Sequence, residues 1–156
     1  MKKLFIIFLS LFLFIPFAMG EYIPIEKSRS EQYRKEIVNS INSQIPIRKK
    51  EILNVFSDVA KEQDPYDKDL KIEYGINGVL FDFYNELIDI TEKYVGKGKI
   101  TEKFIPNDDV FQSHWALIPY LKDNKINASK ILSFIKFAQK KQKELEKKFN
   151  YPTRLF

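Results

Sequence analysis

The stretch INGVLFDFYNELIDITEKYV, Ile76 to Val95, admits two readings that lead to different folds. Leu70, Ile72 and Tyr74 alternate before Asn77-Gly78, and Val79, Phe81 and Phe83 alternate after it, which is the pattern of a β-hairpin about a tight turn. Against this, Ile76, Val79, Leu80, Phe83, Leu87, Ile90 and Tyr94 recur at spacings of three and four. They make one helical face carried for about five turns. The longer periodicity decides, and a helix over 76–95 is expected, stopped by Gly96-Lys97-Gly98-Lys99.

Upstream, Asp64-Pro65-Tyr66-Asp67-Lys68-Asp69 reads as a breaker and a turn. Before it, Tyr33, Ile37, Ile41 and Ile45 recur every four residues with Val38 beside them, one face of a helix from about Ser30. Ser28 or Ser30 is its candidate cap. Pro46 ends or bends that helix, because proline disfavours the helical conformation of the residue before it. From Ile47 a second stripe follows, with Ile52, Val55, Phe56 and Val59 flanked by Leu53 and Ala60. The two segments read as a helical hairpin or as one bent helix.

Downstream, a loop runs to Pro106, and Asn107, Asp108 and Asp109 signal a helix start by capping and by charge at the positive end of the dipole. Val110, Phe111, Trp115, Ile118 and Leu121 give that helix its apolar face, and Pro119 should kink it. Asp123-Asn124 turns the chain. Asn127 or Ser129 caps a last helix through Ile131, Leu132, Ile135, Ala138, Leu145 and Phe149, lysine-rich in its final turns and stopped by Pro152.

The N-terminus has a different character. Met1-Lys2-Lys3 precedes an apolar run from Leu4 to Phe17, and Ala18-Met19-Gly20 supplies small residues at the −3 and −1 positions of a cut between Gly20 and Glu21. This is the three-part layout of a secretory signal peptide. As a helix the run reaches about 21 Å, short of the roughly 30 Å of a bilayer core, so cleavage is expected rather than anchoring. The remaining 136 of 156 residues make one domain, and no other apolar run approaches spanning length.

These readings combine into an all-α fold, a single small helical bundle of about five helices after a cleaved signal peptide. Residues 1–20 are the signal, 21–29 an extended mature N-terminus, 30–150 the helical domain and 151–156 a tail. There is no cysteine, which excludes thiol nucleophiles, thiolate metal sites and disulfides. Aromatic residues at 15% argue for an ordered core.

Charge is uneven along the chain. The net charge is +5, or +3 once Lys2 and Lys3 leave with the signal. Between Glu62 and Glu92 nine acids face two lysines, whereas between Lys136 and Arg154 seven bases face two acids. The bland reading is a solvated basic helix facing the acidic middle segment across the bundle. The functional reading is a basic patch for an anionic partner, with Lys136, Lys140, Lys143 and Lys147 as contacts. Nucleic acid is not expected, since no recognised binding motif is present and export removes the chain from it.

Other constellations are weaker. His114 is the one histidine, next to Trp115, the one tryptophan, and the pair is a candidate partner contact. A lone histidine builds no multi-histidine zinc site, and Ser113 points about 100° away from it. Glu86 and Asp89, three apart, form a candidate carboxylate pair of the glycan-hydrolase kind; solvated acids are the simpler reading. Asp67 to Gly78 matches a calcium loop poorly, with Lys71, Ile72 and Gly78 at positions needing other residues. Tyr66, Tyr74, Tyr84 and Tyr94 suit an interface or a core equally. Asn127-Ala128-Ser129 is a glycosylation triplet that already serves as a cap.

The expectation is an exported small helical protein, periplasmic or extracellular, that works by binding rather than by catalysis. Its expected partner is a protein of the cell envelope, with an anionic surface as the other class, and no cofactor or metal is called for. The alternatives are a cell-envelope enzyme using carboxylates and a peripheral membrane or polyanion binder acting through the basic C-terminal helix.

Overall fold

The computed structural model describes residues 22–100 and 116–151. The expected all-α fold is what forms. Among the described residues there are four α-helices and one 3-10 turn, and no strand: the turn Lys27–Arg29, α1 (Ser30–Lys61), α2 (Pro65–Val95), α3 (Ile118–Asp123) and α4 (Ser129–Lys148). Among the described residues the helix count is thus four rather than about five, because the chain does not break at Pro46.

α1 runs unbroken through Pro46. Proline inside a helix removes one hydrogen bond and costs roughly 3 kcal/mol. The stripe nevertheless keeps its phase across it: Tyr33, Ile37 and Ile41 before, Ile52, Val55 and Val59 after, all buried. Each fully buried Ile or Val returns about 1.5–3 kcal/mol. Packing of both halves on one partner therefore outweighs the local break.

The partner is α2, and its start corrects the expected turn at 64–69. Asp64 is the N-cap, its side chain accepting from the Asp67 amide at 3.0 Å, and Pro65 stands in the first turn, where its missing N–H would have no partner anyway. Helix therefore begins at Pro65, well before Ile76, and Leu70 to Phe83 are helical rather than a hairpin. Gly96 and Gly98, both at positive φ, close its far end. There the Arg29 guanidinium donates to the carbonyls of Lys93 (3.1 Å) and Tyr94 (3.5 Å) and sits 4.7 Å from the Tyr94 ring centroid.

α1 and α2 form an antiparallel hairpin. Tyr33 meets Thr91, Ser40 meets Glu86, and Val55 lies against Gly75. Arg48 occupies the middle of the α1 stripe and is met by Glu51 at 2.9 Å and by Asp82 and Glu86 of α2 at 3.9 and 3.8 Å. α4 lies along both helices, antiparallel to α2. Phe134 packs edge-on to Phe83 at 5.0 Å, and further along Gln142 donates to the Ile72 carbonyl at 2.9 Å.

The local expectations at the helix ends fare differently. Neither Ser28 nor Ser30 caps α1; Arg29 holds the N-cap without a side-chain bond, and the Ser30 hydroxyl donates to Asn124 Oδ1 at 2.5 Å. Pro119 stands in the first turn of α3, and the residues expected to carry a longer helix up to it, Val110, Phe111 and Trp115, lie outside the described residues. The expected start at Asn107 to Asp109 lies outside the described residues. At α4, Asn127 does accept from the Ser129 amide at 2.9 Å, as expected, while Ala128 holds the N-cap position.

Candidate functional site

α4 is amphipathic because Ile131, Phe134, Ile135, Ala138, Gln142 and Leu145 turn inward. Gln142 and Glu146 are buried on the flank towards α2, hydrogen-bonded to each other at 3.0 Å. The opposite side carries Lys136, Lys140, Lys143 and Lys147, all exposed. At about 100° per residue their spacings of four, three and four confine them to an arc of roughly 60°. From first to last they span about 16 Å.

The four lysines are solvated, as the bland reading has them, but they do not lie on the flank of α4 that packs against the acidic segment. The flank of α4 against α2 holds the Gln142–Glu146 pair, and the four lysines point away from it. Local pairing is slight: Lys140 lies 4.0 Å from Glu144, whose nearer partner is Lys141 at 2.6 Å. The Lys141 hydrogen bond holds the Glu144 carboxyl below the usual range. Towards α1, lysines lie over rings instead: Lys49 over Phe137 at 5.1 Å and Lys148 over Phe56 at 5.9 Å.

At the N-terminal end of the stripe, a groove of about 320 Å³ opens between α1 and α4. Ile41, Ile45, Pro46 and Phe134 form its apolar side, and Asn42, Lys49, Ser129, Lys130 and Ser133 its polar side. Lys130 Nζ donates to Asn42 Oδ1 at 2.5 Å across it. Sequence reading missed the groove. Its walls come from segments eighty or more residues apart, and the local signatures of Ile41, Ile45, Pro46 and Ser129 say nothing of which of them meet.

The two candidate carboxylates sit in different surroundings on α2. Glu86 accepts from the Ser40 hydroxyl at 2.8 Å and lies beside Arg48, which makes it a tie between α1 and α2. Asp89 is exposed, and neither lines the groove. The segment Asp67 to Gly78 is helix, with the Asp67 amide held by Asp64, and cannot wrap a cation as a loop. Among the described residues no group of three or more His, Cys, Asp or Glu is placed to hold a metal ion.

The four central tyrosines divide. Tyr84 and Tyr94 belong to the core, whereas Tyr66 and Tyr74 are exposed. Elsewhere Tyr33 is buried against Thr91, and burial pushes its phenol up to about 12. Burial also raises Tyr22, helped by its 2.5 Å hydrogen bond to Asp123, and raises Tyr94 and Tyr120. His114, Trp115, Gly20 and Glu21 lie outside the described residues. Among the described residues no helix is long and apolar enough to cross a membrane.

Comparison with known proteins returned no relative: no family model, no curated protein and no solved structure matches the chain.

Proposed function

We propose that this protein is an exported binding domain without catalytic activity, and that the outer face of α4 is its contact surface for a negatively charged partner in the cell envelope. One observation carries the reading: four exposed lysines share one narrow arc of a helix whose other side is committed to the core. Lysines needed only for solubility would gain from spreading or from pairing with neighbouring acids. The leader from Met1 to Gly20 supports export. Against the carboxylate-enzyme reading stands the engagement of Glu86 by Ser40 and Arg48.

The test is affinity capture from native cell envelope with the wild-type protein, with the variant K136E/K140E/K143E/K147E and with Glu86→Gln. Wild type and E86Q should retain the same envelope component and the lysine variant should lose it. Equal retention by the lysine variant refutes the assigned surface.

A further inference from the structure

We infer that the lysine face of α4 seats the protein on anionic phospholipid; this rests on the contact surface proposed above and names its partner. Three features of the face select a lipid surface over a protein. First, its charge comes from lysine alone. Lysine is depleted at protein interfaces, where aromatic residues and arginine anchor binding, and here the accompanying exposed side chains are Leu132, Ser133 and Gln139. A strongly hydrated ammonium suits a headgroup layer, where each contact is diffuse and additive. Second, the stripe is straight and about 16 Å long, a ridge that touches a plane along its whole length. Third, beside the N-terminal end of the ridge lies the groove between α1 and α4, which sets an apolar wall at Ile45 and Pro46 next to ammonium groups at Lys49 and Lys130. That pairing of charge with apolar surface matches an anionic amphiphile. A soluble polyanion has nothing to place against the apolar wall.

Electrostatic adsorption of this kind gains roughly fivefold per lysine near an anionic surface and falls with salt. The purified protein is therefore mixed with vesicles of phosphatidylcholine alone and of phosphatidylcholine with phosphatidylglycerol, and the bound fraction is followed by flotation. Binding is expected to the phosphatidylglycerol vesicles only. It should weaken between about 0.1 and 1 M salt, as the screening length shrinks from roughly 10 to 3 Å. The variant K136E/K140E/K143E/K147E should lose more than a hundredfold in affinity. K27E/K35E/K61E/K97E, with the same change in net charge at exposed positions elsewhere, should lose far less. Circular dichroism and the matching four-glutamine variant separate lost binding from lost folding.

Equal binding to both vesicle types overturns the inference, as does unchanged binding by the four-glutamate variant. Polyphosphate bound as tightly as the vesicles at equal charge overturns the lipid assignment in favour of a soluble polyanion. Lysine-dependent capture of an envelope protein without vesicle binding removes the lipid and leaves the contact surface. Lysine-independent results in both experiments remove both.

Discussion

Gly75 and Gly78 stand one helical turn apart in α2 and do opposite things. A Cβ at Gly75 would come within 2.7 Å of Val55 Cγ1, so the two long helices approach through the absent side chain. A Cβ at Gly78 would meet nothing within 4 Å. Alanine is worth about 1 kcal/mol over glycine inside a helix, which makes Gly78→Ala stabilising by about 0.5–1 kcal/mol. Gly75→Ala gains the same propensity but must push Val55 aside, and overpacking of this kind costs about 1–3 kcal/mol. Urea unfolding of the two variants should therefore give shifts of opposite sign, and Val55→Ala in the Gly75→Ala background should recover part of the loss. Shifts of the same sign would remove the close-approach account. Sequence alone offered Asn77-Gly78 as a hairpin turn and set that reading aside only on the longer helical periodicity, since glycine there looks the same whether it bends a strand or sits idle on a helix.

At the scale of the element, prolines decide starts, and Pro46, the one set inside a helix among the described residues, does not break it. Pro65 and Pro119 each stand in a first turn, where proline is pre-shaped for the helix. Asp64 adds the capping oxygen for α2, so Asp64→Ala should cost about 0.5–2 kcal/mol by urea unfolding. A change near zero would mean that Pro65 and tertiary packing set the boundary unaided. The stripe of α2 was legible from Ile76 onward because its spacing is regular. The turns from Pro65 to Gly75 were not, because their outward residues Tyr66, Leu70 and Tyr74 are apolar and exposed, which blurs the contrast on which periodicity depends. On α1, the half-buried Arg48 interrupts the apolar count next to Pro46 and imitates a boundary. Glu51 on the same helix and the acids Asp82 and Glu86 on the facing one explain why an arginine is tolerated there.

Across the whole molecule, the helices gather ionisable groups that do not adjoin in sequence. Tyr22, Tyr33, Tyr94 and Tyr120 all hold their protons above the ordinary phenol range, burial being the first cause in each. A phenol raised in the folded state leaves stability intact below the unfolded value near 10. Above it the unfolded chain loses protons that the folded chain keeps, and stability falls with pH. Tyr33 is expected to act between pH 10 and 12. Tyr33→Phe should flatten the fall in that window by up to about 1.4 kcal/mol per pH unit, read from urea midpoints at successive pH values. Identical slopes for wild type and variant would refute the assignment.

Sequence alone determined that the chain is helical and that its last helix has an apolar and a lysine side, because both are properties of spacing along one helix and need no knowledge of a neighbour. It also isolated Lys136, Lys140, Lys143 and Lys147. Tertiary structure decided that α1 crosses Pro46, that Glu86 is a tie to Ser40 and Arg48, and that a groove opens where Lys130 reaches Asn42. Each of these depends on which face of one helix meets which face of another, and the energy that settles it lies in contacts between residues far apart in the chain.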